Sequence, residues 1–217
     1  MARTNLLTKL VIGVSVLSAL GFLFMSTLRD VTSEPYTVRR DHLSGWRVEF
    51  VESRDPNGPL LALQPPDILP LSLFDQVFQR TMESFSSPAE PGIALVLRRE
   101  FEGALAGTIA REDLAALAGD ARLETATVEP RCVAVHRESD SSQPRQAFLL
   151  VFDFPEFDRF RDEIARLLDT RGANAAMFDP RALSPTLLVA SSDRAFHRHL
   201  SLQVDLETLC VAPVKLE

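Results

Sequence analysis

The sequence predicts an α+β fold: a mixed or antiparallel sheet with helices packed mainly on one face, preceded by a single N-terminal transmembrane helix. Three observations carry this. The 19 residues Leu10 to Leu28 contain no charge. Several short segments alternate apolar and polar residues as half-buried strands do. Two longer segments repeat apolar residues at three- and four-residue spacing, the mark of amphipathic helices.

The N-terminal run reads LVIGVSVLSALGFLFMSTL, and 13 of its 19 residues are hydrophobic. As a helix it would span about 28 Å, close to the hydrocarbon thickness of a bilayer. It exceeds the apolar core of a cleaved signal peptide, and Phe22, Leu23, Phe24 and Met25 crowd the place where a small-x-small cleavage site would lie. The expected organisation is a short cytoplasmic tail at 1–9, an anchor at 10–28, a juxtamembrane linker at 29–44 and an extracytoplasmic α+β domain at 45–217. Basic residues nearly balance across the run, so orientation rests on the short tail preceding a large domain. Ser15 and Ala19 stand at small-x-x-x-small spacing, which could seat a homodimer in the bilayer.

Beyond the linker, Trp46–Val51 alternates as a strand, with Trp46, Val48 and Phe50 on one face. The proline-rich stretch from Asp55 to Pro70 predicts turns around a short strand at Leu60–Leu63. A helix is expected after Pro70, with Leu73, Phe74, Val77, Phe78, Met82 and Phe85 forming its buried stripe. Ile93–Leu97 reads as a strand, and Thr108–Ala118 as a short helix capped by Thr108. Val128–His136 and Ala147–Phe154 read as strands joined by the polar loop RESDSSQPRQ. The clearest helix follows. Pro155 opens it, Glu156 and Asp158 favour its N-terminal dipole, Phe157, Phe160, Ile164, Leu167 and Leu168 line its inner face, and Gly172 stops it. Thr186–Ala190 is a strand, Asp193–Leu200 a short helix, and Thr208–Val214 a closing strand.

Composition excludes several functions. Hydrophobic residues make up 46% of the 217, too many for a disordered chain. Two cysteines are too few for a disulfide-scaffold miniprotein, and a net charge of −7 argues against nucleic-acid binding. Without its first 28 residues the chain carries −9. Of its 23 basic residues 21 are Arg, scattered among acids as on a solvated surface.

Candidate chemistry is sparse. Cys132 and Cys210 both fall on predicted strands. They pair as a disulfide if those strands neighbour each other, or stay buried thiols if they do not. His197 and His199, with Asp193 one helical turn before His197, are the only metal-like grouping, and no further Cys or His completes it. Asp153, at a strand end before a helix, is the acid best placed for catalysis, with His136 or His197 as its candidate partner. Asp158, Asp162, Arg159, Arg161 and Arg166 read as helix-surface charges, with Asp162 and Arg166 paired at i, i+4. No nucleophile elbow, phosphate loop, dinucleotide fingerprint or H-E-x-x-H motif occurs. No cofactor is implied. The function expected is therefore a non-catalytic interaction or scaffold module of an envelope complex. It would hold the lipid bilayer through residues 10–28 and bind envelope proteins not identified by sequence. The alternative is a membrane-tethered hydrolase or small-ligand-binding domain with a site assembled from dispersed residues.

Overall fold

The centre of the fold is a hairpin of two long strands rich in aliphatic and aromatic residues. In a computed structural model of the chain, the residues described are Ser18, 34–52, 55–88, 91–138, 145–173, 178–192 and 210–217. The expected anchor at 10–28, the loop residues 139–144 and the expected helix Asp193–Leu200 thus lie outside the described residues, Ser18 apart. Among the described residues no helix is long and apolar enough to cross a membrane. Residues Pro35–Glu217 form one compact unit, separate from Met1–Glu34.

Among the described residues there are eight strands: β1 (Tyr36–Val38), β2 (Arg47–Phe50), β3 (Pro59–Gln64), β4 (Ile93–Leu97), β5 (Glu129–Glu138), β6 (Arg145–Asp153), β7 (Thr186–Ser191) and β8 (Cys210–Leu216). They form two sheets. The larger has the order β1-β8-β5-β6-β7 and the smaller the order β2-β3-β4. Only the β1–β8 pair is parallel, so the larger sheet is mixed. Part of the stretch read as a linker at 29–44 has regular structure. Tyr36–Val38 joins β8, and Arg40–Leu43 forms a 3-10 turn. A three-residue strand shows too little alternation to be read locally, and its partner lies at the other end of the chain.

The helices among the described residues are α1 (Ile68–Thr81), α2 (Arg98–Glu100, continuing as a π-type turn over Phe101–Leu105), α3 (Arg111–Asp120) and α4 (Pro155–Thr170). Leu69, Leu73 and Val77 of α1, Leu114 and Ala118 of α3, and Phe157, Phe160, Ile164 and Leu168 of α4 enter one core with Val133, Val135, Phe148, Leu150 and Phe152 of the larger sheet. On the opposite face of β5 and β6, Cys132, Ala134, Ala147, Leu149 and Val151 form a second, smaller cluster. Both faces of the hairpin are therefore buried, as its nearly unbroken apolar run requires.

Several local expectations are corrected. Helix α1 starts at Ile68, before Pro70, because a proline in the first turn forfeits no hydrogen bond. Its outer side carries Phe78, and the residue after its last turn is Met82; both are exposed and neither joins the buried stripe expected of them. Helix α3 begins at Arg111 and is capped by Asp113, whose Oδ2 accepts the Ala110 N–H at 3.1 Å, so Thr108 does not cap it. Asp162 pairs with Arg181 at 2.9 Å, and Arg166 pairs with Glu163, instead of with each other. Gly172 ends α4 as expected, with φ of 72°, a conformation that costs glycine little. Beside it the Ala173 N–H donates to Leu168 O at 3.0 Å.

Both outer strands of the larger sheet are closed by the α1 region. The Gln76 side-chain amide pairs with β1 as a strand would. Its Oε1 accepts the Thr37 N–H and its Nε2 donates to the Thr37 carbonyl, each at 2.8 Å. At the other edge Ser86 exchanges backbone hydrogen bonds with Ser191 of β7, at 2.8 and 3.0 Å.

Candidate functional site

The sequence-selected residues separate into one pair that meets and others that do not. Cys132 on β5 and Cys210 on β8 form a disulfide with a Cα–Cα distance of 5.8 Å. Antiparallel pairing of these strands sets Ala134 opposite Cys210 and Cys132 opposite Pro213, which brings the two sulfurs together across the ladder. Asp153 and His136 do not converge. Asp153 lies opposite Glu129 at one end of the β5–β6 hairpin, and His136 lies opposite Ala147 toward the other. Six residues of β6 separate these positions, about 20 Å. His197, His199 and Asp193 lie outside the described residues. Among the described residues no group of three His, Cys, Asp or Glu side chains could hold a metal ion.

Sequence reasoning also missed a buried ion pair. Arg161 is 0% exposed on the inner side of α4, and Glu100 of α2 only 10%. Arg161 Nη2 donates to Glu100 Oε1 at 2.7 Å and to Asp179 O at 2.8 Å. Nη1 donates to Leu95 O at 2.9 Å, and Nε to Pro180 O at 2.8 Å. The guanidinium lies 4.7 Å from the Phe178 ring centroid. Glu100 Oε2 in turn accepts the Leu97 N–H at 2.8 Å. Every donor group of the guanidinium is taken by protein, so the pair has no site left for substrate. It ties β4, α2, α4 and the 178–180 segment together. Its one local signal is that Arg161 stands one position after Phe160 and three before Ile164, on the apolar side of α4.

Charged groups on the surface are held mainly by their partners. The Arg171 guanidinium, 2.7 Å from Asp113, acts with the Ala110 N–H to hold the Asp113 carboxyl below the usual carboxylate range. Arg39 and Arg166 do the same for Asp41 and Glu163. Burial pushes the Tyr36 phenol up, against the opposing effect of Arg80 lying over its ring.

Two surface features remain. One is a cleft of about 420 Å³ bounded by Arg40, Trp46, Glu124, Thr127, Glu129 and Leu216. Its polar groups are largely committed inward. Glu124 accepts the Val48 N–H at 2.7 Å, and Trp46 Nε1 donates to Leu43 O at 2.8 Å. The other is the outward face of α1, where Ile68, Leu71 and Phe78 are 49%, 54% and 47% exposed, with Met82, 78% exposed, just past the helix end. The sequence carried a signal for it. Eight of the eleven residues in segment 68–78 are apolar, more than a single buried stripe uses.

No family model matches the chain, and neither does any curated protein or solved structure.

Proposed function

We propose that the chain is a single-pass membrane protein whose exported domain is a non-catalytic interaction module of an envelope complex. The observation that carries this reading is the outward face of α1. Ile68, Leu71 and Phe78 lie along one side of a helix whose opposite side already fills the core, and exposed Met82 follows just past its C-terminus. Contiguous exposed apolar surface rimmed by polar residues is characteristic of binding surfaces. Two further features support the placement. The Cys132–Cys210 bond suits an oxidising compartment, and the uncharged run Leu10–Leu28 has the length of a bilayer span.

The test is brief crosslinking of the full-length chain in its own membranes, then extraction in mild detergent and quantification of what accompanies it. Neighbours in near-stoichiometric amount are expected. Recovery of the chain alone refutes the interaction module. Acid-trapping the thiols before electrophoresis tests the compartment separately: an oxidised pair is expected, and free thiols in the native cell refute export.

A further inference from the structure

We propose that the outward face of α1 docks a protein partner that presents apolar side chains around a lysine or arginine. This inference rests on the reading of the chain as an interaction module and names the surface and the chemistry that meets it. At about 100° per residue, positions 68, 71, 75 and 78 fall within an arc of about 80°, opposite Leu69, Leu73 and Val77. Asp75 therefore sits in the middle of the apolar stripe, between Leu71 and Phe78. It is exposed and makes no hydrogen bond or ion pair among the described residues. The only cation between 65 and 88 is Arg80, and it is turned away. Its Nη2 donates to Pro35 O at 2.7 Å, and its guanidinium lies 3.8 Å from the Tyr36 ring centroid.

Covering this face removes water from a carboxylate, which is costly unless a cation replaces the lost hydration. That requirement selects among occupants. In a second copy packed about a two-fold axis through the stripe, Asp75 meets its own counterpart, a like-charge contact. An offset pairing gives Asp75 no cation to meet, because the other exposed polar residues nearby are Asp67, Gln79, Glu83 and Ser84. A lipid surface fits poorly as well. Helices that lie on membranes carry Lys and Arg on the polar side, whereas this unit is strongly acidic and is repelled by anionic headgroups. A protein partner with a cation among apolar side chains satisfies both the stripe and its carboxylate.

The test places a photo-crosslinking residue at Leu71 or Phe78 of the full-length chain in its own membranes, with Glu112 on exposed α3 as the control position. Adducts from 71 and 78 are expected to a protein whose linked peptide carries Lys or Arg among apolar residues. D75K should lower their yield about tenfold or more, while D75E retains it. Reversing the partner's cation to Glu should then restore the yield with D75K. D75K is at an exposed position, and an unchanged melting temperature shows that it folds. An adduct with a second copy, an adduct with lipid alone, or a protein adduct indifferent to the charge at 75 overturns the proposal. If neighbours link from Glu112 and not from 71 or 78, the docking face is wrong and the interaction module stands. If no position links and nothing co-purifies, both fall.

Discussion

Replacing Glu100 by Ala strands a guanidinium in the interior. Arg161 keeps its bonds to Leu95, Asp179 and Pro180 carbonyls but loses its only anion. Breaking a buried pair by removing one partner costs about 3–5 kcal/mol, because the remaining charge is uncompensated. Leu97 also loses its side-chain acceptor, adding about 1 kcal/mol. Against a typical domain stability of about 5–15 kcal/mol this is severe. With a urea dependence of about 2 kcal/mol/M, the midpoint should fall by about 2–3 M. The chain has one tryptophan, Trp46, which is 3% exposed and edge-on to Phe152 with ring centroids 5.7 Å apart. Its fluorescence reports unfolding of the full-length protein without added label. The E100L/R161M double variant removes both charges, and its loss should be smaller than the sum of the single losses by about 1–3 kcal/mol. A cost below about 1 kcal/mol for E100A, or strict additivity in the double variant, would refute the assignment of Arg161 as a buried, charge-compensated tie.

Three other outcomes are expected. Reduction of Cys132–Cys210, which closes 78 residues of separation, should lower stability by up to about 4.5 kcal/mol if the bond acts by restricting the unfolded chain; calorimetry with and without reductant measures it. Asp113 has a folded pKa depressed by Arg171, so its stabilising contribution is present above the ordinary carboxylate pKa, near about 4, and is lost as pH falls through the lower folded value. D113N should accordingly flatten the acid limb of a melting-temperature profile, lying below the parent protein by a constant amount above the carboxylate range and converging with it at low pH. On α1, Leu73→Ala should cost about 2–5 kcal/mol by opening the core, whereas Phe78→Ser should stay within about 0.5 kcal/mol; equal losses would show that the helix is oriented otherwise.

What could be read from sequence follows the range of the forces involved. Alternation and helical spacing place β2, β4, the β5–β6 hairpin and α4 within a few residues, because each depends on a pattern inside its own segment. The mixed sheet follows from pairings that no segment encodes. Tyr36–Val38 lies opposite Val214–Leu216, from the other end of the chain. The inner role of Arg161 was hidden for the same reason, since its anion stands 61 positions earlier, on α2. Cys132 and Cys210 were legible as a pair only up to the adjacency of their strands. On α1 the periodicity marked an amphipathic helix correctly, but two apolar stripes overlap there. Phe78 was assigned to the wrong one because Val77, its neighbour in sequence, fills the core.

The two hydrogen bonds from Gln76 to Thr37 have a consequence for how copies of this protein behave when crowded. An outer strand with free amide and carbonyl groups is a template on which another chain can be added. At Thr37 that template is already occupied by a side chain, and at Ser191 by Ser86. Neither end of the larger sheet offers a complete row of backbone groups to a neighbour. At the larger sheet, molecules held side by side at high density therefore gain little by ladder growth, and association there is left to side chains, where shape and charge discriminate between partners.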